Sequence, residues 1–294
     1  MMRKQIAITG GRGRLAGVAA AYFRQQGYEV ILFSRTEGVG MKLLSDLFDA
    51  KIMSSFAALI HAAWSTVPFT SEADPGREDR EDLPLLKNIL ESLHHIEPSS
   101  SIPKLIFISS ASVYGNQKRE PATELALCKP LSGYARAKLV AERLILKAAV
   151  EDPRLKAVIL RATNLIGTPS PENIPQGILP KIVAAAKQQQ SVELWGDGKC
   201  SKDYLWIDDF LEALKAAVET SVQGIFNTGS GKNFSLLEFI QIAEEVMQQP
   251  ISINYHPSYH WDVTCSSISS AAFSKAVGWN PQTNIAQKMR EFMR

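Results

Sequence analysis

Tyr134 and Lys138 stand four residues apart near the start of an alanine- and leucine-rich run that continues to Val150. The run predicts a helix whose period puts both side chains on one face, a turn apart. An ammonium beside a phenol favours the phenolate and lowers the tyrosine's pKa. A phenol tuned in that way exchanges a proton near neutral pH, which is what general acid–base work on an alcohol or ketone needs. The spacing alone is common, so its weight comes from its surroundings. Upstream, Lys104-Leu-Ile-Phe-Ile-Ser109 reads as a buried strand with further hydroxyls, Ser110 and Ser112, at its end. Polar groups at the carboxyl tip of a central parallel strand lie where open α/β sheets bind ligands.

The elements that position these groups begin at the N-terminus. An apolar strand, Gln5-Ile-Ala-Ile-Thr9, empties into Gly10-Gly11-Arg12-Gly13-Arg14-Leu15 and then an alanine-rich helical pattern. Gly11-x-Gly13-x-x-Ala16 has the dinucleotide-fingerprint spacing in the strand–turn–helix context that the fingerprint requires. The turn, with Gly10, Arg12, Gly13, Arg14 and Leu15, is expected to cradle a pyrophosphate on the positive end of the helix. A second strand, Val30 to Phe33, ends in Ser34 and Arg35, where NAD-specific proteins of this architecture carry an acidic residue. A guanidinium pairs with a 2′-phosphate in a forked geometry, and Arg12 can close on the same group, so the reading favours NADP(H) over NAD(H). Met41 to Leu44 reads as a short strand or a helix, with the strand favoured, and Asp46 is then placed to face the adenine edge. The strand Phe56 to Ile60 ends in Ala62 and Ala63, small enough for a flat cofactor to lie across them. His61 reads as structural, and Thr70 to Asp82 as a solvated, charged loop.

With 45% apolar residues and 294 in all, the chain can fill the core of one large α/β domain, or of one with a smaller partner. Its 32 basic and 30 acidic residues contain no basic block, so no nucleic-acid partner is indicated. Cys128, Cys200 and Cys265 are odd in number and form no CxxC pair, which argues against a disulfide framework or a metal site. No signal-type segment or membrane-length apolar run is present, and a cytoplasmic protein is expected.

Taken together these segments resemble the extended short-chain dehydrogenase/reductase family of nucleotide-sugar epimerases, dehydratases and reductases. Thr9-Gly10-x-x-Gly13-x-x-Ala16 is similar to its TGxxGxxG turn, Ser45-Asp46-Leu47 to its adenine-side element and Ile60-His61-Ala62-Ala63 to its HxAA strand end. Ser110-Ala-Ser-Val-Tyr-Gly115 is similar to its SxxxYG segment, and Pro130-x-Ser132-x-Tyr134-x-x-x-Lys138-x-x-x-Glu142 to its catalytic helix. Leu160-Arg161-x-x-Asn164, Trp195-Gly-Asp-Gly198, Lys202-Asp203-Tyr204 and Phe226-Asn227-x-Gly229 follow in the family's order. The resemblance implies a doubly wound Rossmann-type parallel sheet, residues 1–166 plus 204–230, and a smaller discontinuous α/β substrate lobe, 167–203 plus 231–294. It implies Ser110, Tyr134 and Lys138 as catalytic groups, Asp46 and Leu47 among the cofactor contacts, and Ser112, Asn164 and Lys202 on the substrate side. It also implies a homodimer through the helices around Asp82–His95 and Ser132–Val150.

The departures from the family pattern narrow the chemistry. Ala111 and Ser112 occupy the place of the dehydratases' Asp-Glu pair, and no cysteine lies near Ser110, unlike the fucose-synthase branch. Lys202 stands where many sugar-nucleotide enzymes have Arg, and Ser258 lies near the place of a second diphosphate-binding Arg. The reading that follows is NADP(H)-dependent reduction of a keto group on a sugar or sugar nucleotide. The alternatives are a nucleotide-sugar epimerase and a dinucleotide sensor without chemistry. In the second half, Pro-rich residues 168–177 read as the crossing into the substrate lobe, Tyr204 to Ile207 as the return to the large sheet, and Asp208 as a helix N-cap.

Overall fold

A computed structural model describes residues 4–116, 121–168, 177–263 and 265–293; residues 169–176 of the Pro-rich crossing lie outside them. In chain order the described residues form β1 (Gln5–Thr9), α1 (Arg14–Gln25), β2 (Glu29–Ser34), β3 (Met41–Leu43), α2 (Leu44–Leu47), α3 (Ala50–Ser54) and β4 (Ala58–His61). There follow α4 (Pro68–Ala73), α5 (Arg77–Arg80), α6 (Asp82–His94), β5 (Lys104–Ser110), a 3-10 turn (Ala111–Tyr114), α7 (Gly133–Glu151) and β6 (Ala157–Ala162). The second half adds β7 (Asn164–Ile166), α8 (Ile178–Lys187), β8 (Val192–Trp195), β9 (Ser201–Trp206), α9 (Ile207–Glu219) and β10 (Gly224–Thr228). It ends with β11 (Asn233–Ser235), α10 (Leu236–Met247), β12 (Ile253–His256), α11 (Ala271–Val277) and α12 (Ile285–Met293).

Seven parallel strands make the main sheet in the order β10-β6-β5-β4-β1-β2-β3. The chain winds outward in one direction from β1 and in the other from β4. The point of reversal therefore lies between those two strands, and ligands of such sheets bind outside the carboxyl ends there. Strand residues alternate between two cores. Ile6, Ile8, Ile60, Ile106 and Leu160 pack with Ala16, Ala19, Ala20 and Phe23 of α1 and with Phe210 and Leu214 of α9. Ala7, Leu59, Leu105, Phe107 and Ile159 pack with Leu86, Ile89 and Leu93 of α6 and with Ala141 and Ile145 of α7. Both faces are covered, which is why these strands read as unbroken apolar runs rather than as alternations.

The smaller lobe carries a three-stranded mixed sheet, β11-β9-β7, and a parallel pair, β12-β8. Here two expectations are corrected. Tyr204 to Trp206 do not return to the large sheet: they end β9, which hydrogen-bonds β7 and β11. An apolar run signals burial but not which sheet buries it, and the true return is through α9. Asp208 is not the cap of that helix either, since Trp206 occupies the cap position and Asp208 lies in the first turn. Its charge still suits the positive helix end. Met41 to Leu43 do form a strand, and Leu44 starts the short helix that carries Asp46. No helix among the described residues is long and apolar enough to cross a membrane.

Candidate active site

Two clefts open at the carboxyl ends of the main sheet. The first, about 390 Å³, is lined by Gly10, Arg12 and Gly13 of the β1 turn, Ser34 and Arg35 beyond β2, and Ala62 and Ala63 beyond β4. Gly10 sits at φ +77°, and a Cβ there would fall 2.9 Å from both the nitrogen and the Cα of Ala63. The Ala63 N–H donates to Thr9 Oγ1 at 3.1 Å, and the same hydroxyl meets His61 Nδ1 at 2.8 Å. The turn is thus laced to the end of β4, and Gly10 rather than Gly11 is the residue that the close approach demands. Gly13 caps α1 through its backbone, without a side chain over the helix end. That arrangement leaves first-turn N–H groups for an anion. Gly10→Ala is accordingly expected to lower unfolding free energy by about 2 kcal/mol, from positive φ and backbone overlap together, measured by urea denaturation.

The same cleft is also lined by Trp64, Ser65, Glu81 and Asp82, none of which the sequence singles out. The stretch expected to be a solvated loop folds instead into α4, α5 and the start of α6, with Ser71, Glu78 and Asp82 turned inward. Asp82 accepts hydrogen bonds from the Ser65 N–H at 2.8 Å and its hydroxyl at 2.7 Å, and the Thr66 hydroxyl donates to Glu78. Burial raises the pKa of the Asp82 carboxyl, against the Ser65 hydrogen bonds that lower it. Of the arginines, Arg12 donates to the Glu37 carbonyl at 2.5 Å, and Arg35 pairs with Glu81, which also takes Arg77 Nε at 2.9 Å. Asp46 is exposed and Leu47 is fully buried in the core, and neither lines the cleft. Arg14 is outside its lining too, and Leu15 faces the second cleft instead.

That second cleft, about 400 Å³, brings together Ser110, Ser112, Tyr134, Asn164 and Lys202, with Trp261 and Asp262. Ser110 ends β5, and Ser112 donates to it through both its hydroxyl, at 2.9 Å, and its N–H, at 3.2 Å. Tyr134 enters on the first turn of α7, which Ser132 caps by accepting from the Ala135 N–H at 3.2 Å. One turn on, Lys138 is buried. Its Nζ donates to the Ile108 carbonyl at 2.8 Å and lies 3.8 Å from the Trp64 ring centroid and 4.7 Å from that of Phe107.

The expected lowering of the Tyr134 pKa is corrected by this geometry. Burial pushes the phenol up to about 12, the Asp82 and Glu78 carboxylates add to the rise, and a hydrogen bond with Ser110 opposes it. Burial holds Lys138 down at about 7, against the pull of Asp82 and Glu142. A shared helix face fixes neighbourhood but not aim: the amine donates to a β5 carbonyl and lies closest to the Trp64 and Phe107 rings, with the Tyr134 ring centroid farther off at 5.8 Å. His61 is the structural residue expected. It is buried, stacked on Phe107 at 5.7 Å, and burial holds its pKa down at about 3.

Beneath the site, Glu142 and Arg161 form a buried bidentate pair, with Nε to Oε1 at 3.0 Å and Nη2 to Oε2 at 2.7 Å. Arg161 Nη1 also donates to the Tyr114 hydroxyl at 2.9 Å, which in turn donates to Asn227 at 2.7 Å. The Ser109 hydroxyl donates to Glu142. This chain of bonds locks α7, and with it Tyr134 and Lys138, to β5, β6 and β10. On the opposite wall Lys202 Nζ pairs with Asp262 at 2.6 Å and Asn164 donates to the Asp203 carbonyl at 2.9 Å. Trp261 on that wall continues outward as a stack with Tyr259 and Trp195, with centroids 4.6 Å and 5.8 Å apart.

A model of the NAD dependent epimerase/dehydratase family matches residues 6–229. The UDP-glucose 4-epimerase of Neisseria gonorrhoeae is 26% identical, with 98% of this chain and 96% of that protein aligned. Among solved structures, the UDP-N-acetylglucosamine 4-epimerase of Methanobrevibacter ruminantium M1, in complex with UDP-N-acetylmuramic acid, has a TM-score of 0.87 at 23% identity, covering 100% of this chain and 98% of that one. The Thermus thermophilus UDP-glucose 4-epimerase, in complex with NAD, has a TM-score of 0.84 at 24% identity, covering 98% of this chain and 97% of that one. At these identities the structural likenesses speak for the fold.

Proposed function

Because this chain belongs to the NAD dependent epimerase/dehydratase family, within the extended short-chain dehydrogenase/reductase enzymes, we propose that it is a nucleotide-sugar 4-epimerase. The observation that carries the reading is that Ser110 and Tyr134, hydrogen-bonded to each other, line the second cleft, with Lys138 buried one turn beyond Tyr134, while the glycine-turn cleft opens at the carboxyl ends of the same sheet. The 4-epimerase relative, aligned along nearly the whole chain, favours epimerisation over net reduction of a ketone.

The first cleft fits a dinucleotide: Gly10 and Gly13 leave the backbone bare, α1 offers its N-terminus, and Ala62 and Ala63 leave room for a flat ring. Bound there, a nicotinamide coenzyme supplies the acceptor and then the donor of hydride. Tyr134 takes the proton of the sugar hydroxyl on oxidation and returns it on reduction, while Ser110 holds the reacting oxygen by a hydrogen bond. Lys138 holds the coenzyme's ribose and, when charged, stabilises the phenolate. Burial keeps Tyr134 a phenol in the free protein, so it must release that proton to solvent, with a charged Lys138 stabilising the phenolate, before it can take one from the sugar hydroxyl. Asn164 and Lys202 serve the substrate side, and Ser112 steadies Ser110. Two copies pair through α6 and α7, where Val140, Leu146 and Val150 are exposed on the surface of α7.

Incubated with UDP-glucose, UDP-N-acetylglucosamine or UDP-glucuronate and no added coenzyme, the purified protein is expected to yield the C4 epimer of at least one, measured by NMR. Absence of any epimer, with NADPH consumed on 4-keto sugar nucleotides instead, would leave the second reading, an NADP(H)-dependent ketoreductase. What favours that reading is the pair of arginines, Arg12 and Arg35, lining the first cleft where β2 offers no carboxylate.

A further inference from the structure

Proteins of this architecture settle which coenzyme they take at the tip of the second strand. A carboxylate there bonds the adenosine ribose hydroxyls, and an arginine accommodates a 2′-phosphate. This chain has Ser34 and Arg35 at that tip, and the Ser34 hydroxyl is turned onto the Thr36 carbonyl. Yet the cleft does have a carboxylate on the wall opposite. Glu81, the residue just before α6, lines it and is ion-paired with Arg35 across 46 residues of sequence. Arg77, one turn earlier, holds the other oxygen of Glu81 at 2.9 Å and so fixes where that carboxylate points. The paired arginines hold Glu81 below the usual carboxylate pKa, so it is charged at neutral pH.

We propose that Glu81 determines coenzyme selectivity: supplied from the helical wall instead of the strand tip, it occupies Arg35 and keeps the cleft open to a ribose bearing a free 2′-hydroxyl. This inference rests on the first cleft being the coenzyme site. A hydroxyl can share hydrogen bonds with either member of the ion pair. A 2′-phosphate needs the Arg35 guanidinium and is repelled by the Glu81 carboxylate, so Glu81 opposes the bidentate contact that Arg35 would otherwise make. Arg12 already donates to the Glu37 carbonyl and gives less help. The two walls therefore carry opposite preferences, and the pairing tips the balance towards the unphosphorylated form.

The test uses the ribose end of the coenzyme alone. Titration calorimetry compares adenosine 2′,5′-bisphosphate with adenosine 5′-monophosphate on the full-length protein. Glu81→Gln keeps the hydrogen-bonding shape and removes the charge, and is expected to raise the affinity ratio in favour of the bisphosphate about tenfold. In an Arg35→Ala background the same change is expected to lose most of that gain, because the liberated guanidinium is what binds the phosphate. Thermal melting of each variant establishes that it is folded. A ratio that stays within about twofold in Glu81→Gln, or moves towards the monophosphate, overturns the proposal. So does an equal gain without Arg35, which reduces the effect to general charge. Failure of the wild-type protein to bind either nucleotide removes the coenzyme cleft itself, and this inference with it.

Discussion

Tyr134→Phe is expected to lower turnover by about three orders of magnitude while coenzyme affinity stays close to that of the wild-type protein. The phenol lines the cleft at the Ser110 end, and the substitution removes one oxygen from a ring that keeps its edge-on contact with Trp64, 6.5 Å between centroids. Packing is therefore nearly unchanged, and the loss falls on proton transfer. Epimer formation measured by NMR and coenzyme binding measured by calorimetry separate the two effects. Turnover within about tenfold of wild type would assign the proton to another group, because a positioned acid–base contributes at least a hundredfold. Unchanged behaviour in a protein that binds coenzyme but turns over nothing would instead favour the sensor.

The second large effect belongs to the buried ion pair below the site. Glu142→Ala is expected to cost about 4 kcal/mol of unfolding free energy, because it strands the Arg161 guanidinium where only 4% of its side chain meets solvent. Removing both charges, in Glu142→Leu with Arg161→Met, is expected to cost less than the single change, since no ion is then left unpaired. Urea denaturation of the three proteins measures this. A double variant less stable than Glu142→Ala would mean that the Tyr114 and Ser109 hydrogen bonds, not the ionic pairing, hold these elements together. Glu142 also helps to keep Lys138 protonated, so its loss reaches the active site by charge as well as by packing.

The framework of this site was legible wherever the signal was local. The β1 strand, its glycine turn and α1 follow one another without a gap, and each signals by its own period or by a backbone requirement. The Tyr134–Lys138 spacing likewise survives intact on α7. What escaped depends on partners distant in sequence. Glu78, Glu81 and Asp82 lie in a charged stretch without apolar period, which composition alone assigns to solvent. Glu78 and Asp82 turn inward because Thr66 and Ser65 meet them there, while Glu81 stays half-exposed on the cleft wall, where Arg35 meets it. The Tyr134 pKa went the other way from expectation for a related reason. Helical spacing puts the amine near, but only the packing of Trp64, Phe107 and the Ile108 carbonyl shows where its charge is directed. Leu47 is a third instance, since a position beside a cofactor motif and a position in the core are both satisfied by leucine.

The edge strand β10 bears on how the chain matures. Its partner β6 ends at Ala162, and β10 joins it in parallel only after the ribosome has passed Thr228, with Gly224 meeting Val158 and Asn227 meeting Arg161. Between the two, the polypeptide has already emitted the first portion of the smaller lobe. Until then one margin of the sheet is bare and the Tyr114 hydroxyl lacks its Asn227 acceptor. Late, non-local pairing of this sort slows assembly and exposes an unpaired edge. Nascent chains halted before residue 224 should therefore be the aggregation-prone species during biosynthesis.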